Sequence, residues 1–142
     1  MIDNPLTAER IERDGALWGD MTIAQGAWQK AQDRPDEVAI YLEGEPSITY
    51  GSIAEEARRL VTGLQQIGLK AGDVISFQLP NWRESVVVDI AASAMGLIVN
   101  PIIPIYRDRE LRFILKDART RPLQIWSIVL DVTVTVTLRS KP

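Results

Sequence analysis

The stretch Gly68–Glu110, GLKAGDVISFQLPNWRESVVVDIAASAMGLIVNPIIPIYRDRE, decides the fold. A turn bounded by Gly68 and Gly72 and closed by Asp73 feeds an apolar run, Val74–Leu79, and Pro80 stops that run. Asn81, with Glu84 three positions on, has the form of an Asn-type capping box, so a helix is expected over Trp82–Met95. Val86, Val87, Val88, Ile90, Ala91 and Ala94 make that helix apolar on most sides, which places it between layers rather than on a surface. Gly96 ends it. Leu97–Val99 is a second strand, and AsnProIleIlePro then bends the chain away. Strand, helix, strand is the unit that builds parallel sheets.

Upstream, Thr22 and Gln25 form a capping box for a helix over about Ile23–Asp33, and Pro35 ends it. Ile23, Ala27, Trp28 and Ala31 share one stripe, read as core-facing rather than as an aromatic binding site. Val38–Leu42 and Ser47–Tyr50 are short strands around the turn at residues 43–46, a β-hairpin. Thr49 caps a helix over Tyr50–Ile67, with Gly68 at its end. Ile53, Ala57, Leu60, Val61, Leu64 and Ile67 mark its inner face, and Glu55 and Arg59 make an i,i+4 pair on the outer one. Arg58 and Arg59 offer an anion site on paper; a solvated helix face is the favoured reading.

Downstream, Asp108 is the expected cap of a helix over Arg109–Ala118, with Leu111, Ile114 and Leu115 facing the core. Six basic residues lie between Arg107 and Arg121, interleaved with Asp108, Glu110 and Asp117. A nucleic-acid patch would carry fewer acids and some aromatics for stacking, so a mixed-charge face is the reading. Residues 123–130 read as a third parallel strand. The tail then alternates, Val132, Val134 and Val136 on one face and Thr133, Thr135 and Thr137 on the other. Left unpaired, such a strand is an adhesive edge.

The resulting fold class is α/β: a doubly wound, mainly parallel sheet with flanking helices and a small β-hairpin; that it is partial, the truncated N-terminal part of a larger domain, is what the family resemblance of the motifs over 17–111 implies. Residues 1–21 read as an N-terminal arm whose Leu17 and Trp18 dock on the body, 22–121 as the partial domain, and 122–142 as a β-rich tail. A chain of 142 residues with 46% apolar and 25% charged residues suits one globular domain. The net charge of -3 argues against a nucleic-acid partner. With no cysteine and no histidine there is no disulfide, thiol nucleophile, Ser-His-Asp triad or His-ligated metal site. The most apolar region, Val86–Ile105, contains Asp89, Asn100, Pro101 and Pro104 and does not amount to a membrane span. Neither a secretory signal nor a transmembrane segment is evident, and a cytoplasmic location is expected.

A series of motifs, in order and at matching spacing, resembles one family. They are LWGDMTI (17–23), AWQKAQDRPDEVAI (27–40), ITYGSI (48–53), GLKAGDVISFQLPN (68–81), AMGLIVNPI (94–102) and YRDREL (106–111). The chain is identified as similar to the N-terminal portion of AMP-dependent synthetases/ligases, the adenylate-forming superfamily that includes acyl-CoA synthetases. The wording NPIIPIYR is most like ligases of cyclic, aromatic or medium-chain acids. The resemblance implies, for a full-length enzyme, a reaction of ATP and a carboxylate to an acyl-adenylate with Mg²⁺, followed by transfer to coenzyme A, as in fatty acid metabolism. It also implies a Ser/Thr/Gly-rich loop ending in Pro-Lys-Gly, in which glycine lets backbone amides approach phosphates. None of the nine glycines forms Gly-x-Gly or Gly-Lys. No catalytic, cofactor-binding or metal-binding residue of the family maps onto this chain, and none is assigned; no cofactor is expected for the chain itself.

The expectation is therefore a ligase fragment that is inactive alone. A second reading is a non-catalytic interaction module, pairing with itself or with a full-length paralogue through an exposed sheet edge. A third, a stand-alone nucleotide-binding domain with the amides behind Asn81 as its anion site, ranks below the simple cap. The change of composition after Arg121 suggests a truncated or frameshifted gene, which the downstream DNA read in all frames would test.

Overall fold

The computed structural model describes residues 21–41, 44, 46–118, 120–126 and 133–139, with side chains up to Ala118. The arm before Met21, including Leu17 and Trp18, lies outside the described residues. In order come α1 (Ile23–Asp33), β1 (Val38–Ile40), β2 (Ile48–Thr49), α2 (Tyr50–Gln66) and β3 (Val74–Phe77). These are followed by α3 (Arg83–Met95), β4 (Ile98–Pro101), α4 (Asp108–Asp117), β5 (Thr120–Trp126) and β6 (Thr133–Arg139).

Each of the first helices starts where a hydroxyl meets open backbone amides. Thr22 Oγ1 accepts from Gln25 N at 3.2 Å, and the Gln25 side chain accepts from Thr22 N at 2.8 Å, so the box is reciprocal. Thr49 Oγ1 accepts from Ser52 N. Two helices end in the same way. Gly68 and Gly96 take left-handed φ values of 88° and 66°. Leu69 N then reaches Leu64 O, and Leu97 N reaches Ala92 O. These paired closures are Schellman motifs, and the residue after each glycine, Leu69 or Leu97, is buried.

The centre of the fold is the β3–α3–β4 crossover. β3 and β4 are parallel, with Val74 opposite Ile98, Ile75 opposite Val99, Ser76 opposite Asn100 and Phe77 opposite Pro101. Ile75 and Phe77 join Ile53, Ala57, Leu60 and Leu64 of α2 and Val87, Val88, Ile90, Ala91 and Ala92 of α3 in one core. The helix–strand–helix sandwich is thus built on small and β-branched side chains, which let the layers approach closely. α1 packs on both α2 and α3, and Ala24 N donates to Ser93 Oγ. The β1–β2 hairpin is antiparallel.

Several local expectations are corrected. The first stripe rotates: Ala24 is buried and Ile23 is exposed, because α1 turns its alanines to α3. α3 begins at Arg83 with Trp82 as an N-cap that makes no side-chain bond, so Asn81 is not the cap. Pro80 closes a tight turn first, Trp82 N donating to Pro80 O, and this moves the helix start one residue on. Asp108 lies inside α4 rather than capping it; Arg107 takes that position, and Glu110 accepts from Arg107 N. The strand at residues 120–126 is not a parallel neighbour of β3 or β4. It pairs antiparallel with β6, Thr120 opposite Arg139 through Trp126 opposite Thr133. The Val-Thr tail therefore has a partner, and β6 lies next to β3.

Candidate functional site

Ligands of open α/β sheets gather at the carboxyl ends of the parallel strands. Here that place is formed by the segment after β3, residues 78–82, and the segment after β4, residues 102–107. Gln78 joins them. Its Nε2 donates to Ile103 O at 2.9 Å and to Tyr106 O at 3.0 Å. Arg107 closes the same loop from its other end, Nη1 donating to Pro104 O at 2.8 Å and to Tyr106 O at 3.1 Å. One layer below, Asn100 Nδ2 donates to the fully buried Ser76 Oγ at 3.0 Å. A buried hydroxyl without such a partner would be costly, so this pair ties β4 to β3 through side chains as well as backbone.

The cations near this end are engaged. Arg83 lies within 3.3 Å of Glu56 and 3.1 Å of Glu84, bridging α2 and α3. The carboxylate of Glu84 stands in the first turn of α3, where it meets the positive end of the helix dipole itself. An incoming phosphate would face that carboxylate. The arginines singled out on α2 are likewise occupied. Arg58 lies over the Trp28 ring at 4.9 Å, a cation–π contact, and Arg59 pairs with Glu55 at 3.1 Å. The solvated-face reading of that pair therefore stands. On α4, Arg109, Arg112 and Lys116 are exposed, with Asp108, Glu110 and Asp117 exposed among them. Burial pushes the Asp89 carboxyl of α3 above its ordinary value.

The described cations at these strand ends are thus already paired, which does not fit a triphosphate. Among the described residues no group of three or more carboxylates could hold a metal ion. An apolar groove of about 580 Å³ lies between α1 and α3, lined by Met21, Ile23, Ala27, Tyr50, Val86 and Ile90 among others. It holds none of the strand-end residues.

Ser76, Gln78 and Asn100 were not singled out from the sequence. A signal was present: each is a polar residue inside or at the end of an apolar strand, and in the structure Ser76 and Asn100 fall at equal distances from the strand starts Val74 and Ile98. Equal register is what a parallel pair needs to bring them together. Asn81, considered for an anion site with the amides behind it, is exposed and holds no cap position.

The motif of an AMP-binding enzyme matches residues 27–135, which is most of the chain. The medium-chain fatty-acid–CoA ligase of Escherichia coli (strain K12) is 32% identical over 109 residues, covering 77% of this chain and 19% of that protein. A salicylyl-CoA synthase / salicylate adenylyltransferase of a Streptomyces species is 26% identical, covering 85% of this chain and 22% of its own length. Among solved structures, the N-terminal subdomain of Klebsiella oxytoca NpsA superposes with a TM-score of 0.65 at 23% identity, covering 75% of this chain and 28% of that one. The sequence is thus that of a protein of the adenylate-forming type. The chain belongs to the AMP-binding enzyme family, and it spans about a fifth of the curated relatives it matches.

No helix among the described residues is long and apolar enough to cross a membrane.

Proposed function

We propose that this chain is the N-terminal scaffold of an ATP-dependent acid–CoA ligase and does not activate an acid by itself. The observation that carries this reading is the state of the strand ends. The family match runs through β3, α3 and β4, yet the basic groups there, Arg83 and Arg107, are spent on Glu56, Glu84 and their own loop. Departure of pyrophosphate needs preorganised positive charge or amides aimed at it. The described cations at this end are already engaged. Residues 22–121 are the family scaffold in this reading, with 1–21 an arm and 122–142 a separate β-rich tail. ATP, Mg²⁺, coenzyme A and the carboxylic acid belong to the complete enzyme, in the cytoplasm, with medium-chain, cyclic or aromatic acids as the substrate class.

The test is acid-dependent exchange of labelled pyrophosphate into ATP by the purified chain, with octanoate and benzoate as acids. No exchange above a protein-free control is expected. Exchange that requires both acid and chain would sink the proposal. A second reading, a non-catalytic module that pairs with itself or with a paralogue, is favoured by one feature, the exposed isoleucines of β4 and its loop.

A further inference from the structure

β3 pairs with β4 along one edge, Val74 opposite Ile98 through Phe77 opposite Pro101. Among the described residues no strand is hydrogen-bonded to its other edge. That edge does not open on water: Ile75, Ser76 and Phe77 are 1%, 0% and 3% exposed. Backbone groups buried without partners are costly, and Val74–Phe77 has neither charge nor proline to blunt an edge. Such an edge can receive an added strand through main-chain bonds. What stands along it is the chain's own end. β6 lies beside β3 and not beside β4, hence on the side away from β4 and between β3 and β5. Its pairing with β5 uses one edge and leaves the other turned to β3. In the middle of that pairing Leu123 is opposite Val136, Ile125 opposite Val134 and Gln124 opposite Thr135. Apolar positions oppose apolar ones and polar oppose polar, a match that a one-residue slip would destroy. Val132–Leu138 has no charge, glycine or proline, and six of its seven residues are β-branched, the composition of a pairing strand.

From these observations we infer that the outer edge of β3 is a strand-accepting site, and that residues 133–139 close it in cis and withhold it from strands of other chains. Tethering favours this occupant. Only residues 127–132 separate β5 from β6, and a segment held by so short a connection acts at an effective concentration on the order of millimolar. A free strand in dilute solution competes poorly against that. The inference does not rest on the ligase reading. It bears on the non-catalytic module instead, since pairing through this edge requires release of β6.

The probe is a fluorescein-labelled peptide of residues 130–142, LDVTVTVTLRSKP, titrated with the full 142-residue chain and followed by fluorescence anisotropy. In the test variant, Thr135→Pro and Val136→Pro remove consecutive N–H groups, which point to opposite edges of β6. This variant should bind the peptide at least tenfold more tightly than the unaltered chain. A peptide carrying the same two prolines should not bind. The milder Val134→Gly with Val136→Gly keeps every N–H and lowers only the strand propensity; it should tighten capture at least threefold. Circular dichroism checks that each variant is folded. In the unaltered chain, hydrogen exchange followed by mass spectrometry should find the amides of 133–139 and 74–77 protected together. Equal capture by the unaltered chain and a folded variant overturns the inference, as does no capture by either folded variant. Amides of 133–139 that exchange as fast as those of the free peptide overturn it whatever the variants do.

Discussion

α3 and α4 are amphipathic to opposite degrees, and burial runs against the simple expectation. α4 has the cleaner division, with Leu111, Ile114 and Leu115 on one stripe and charges elsewhere, yet none of its described residues is buried. Phe113 is 73% exposed. α3 has valines and alanines around most of its circumference and buries Val87, Val88, Ile90, Ala91 and Ala92. The difference lies in what faces each helix. α3 is the crossover between two paired strands and packs against α1, α2 and the sheet. α4 follows the crossover and contacts chiefly β5. An apolar stripe states that a helix needs a partner; it does not supply one.

The largest way to test this contrast is a polar substitution in each helix. Val87→Asp places a carboxylate where no water reaches, and a loss of more than about 4 kcal/mol is expected, enough to unfold the chain. Phe113→Ser should change stability by no more than about 0.5 kcal/mol. Urea melts followed by circular dichroism measure both. Equal effects would mean that α4 is as embedded as α3.

Next in size is the end of α3. A β-carbon at Gly96 would meet Ala71 Cβ at 3.3 Å while the backbone is held at a φ of +66°. Gly96→Ala should therefore cost about 1–2 kcal/mol, and a melting temperature equal to the wild type would show that the Schellman turn relaxes freely.

The smallest effect is expected at Asp89. Its carboxyl is raised by burial from 3.8, so the folded state holds a proton more tightly than the unfolded chain. Stability then falls as pH rises from the unfolded value through the folded one. Asp89→Asn removes the charge and should raise the melting temperature at pH 7, with the gain shrinking as pH falls through the folded value toward 3.8. A gain independent of pH would mean that the Asp89 charge is not the cause.

Much of this fold was legible because its punctuation is local. Thr22 with Gln25, Thr49 with Ser52, and the glycines at 68 and 96 act within one turn of chain, so type and spacing suffice to place them. Asn81 misled for a physical reason. A capping sequence is also a turn sequence, and the tight turn at Pro80 used the backbone first. At the strand ends, the partners of Gln78 were illegible because they lie 25 and 28 residues away. A polar residue in an apolar strand can be noticed locally, but the distant carbonyls it serves cannot.

By itself the sequence determined the helices, the caps at Thr22 and Thr49, the glycine stops at 68 and 96 and the crossover from β3 to β4, since hydrophobic period and turn chemistry are properties of short segments. It also carried the family, through motifs whose order and spacing belong to the chain rather than to its contacts. Only the tertiary structure decided which cations remain free, for ion pairs such as Arg83 with Glu56 form between residues that folding brings together. It alone decided that β5 meets β6 antiparallel rather than extending the parallel pair. And it alone revealed which apolar residues lack cover, because burial depends on what stands opposite a side chain.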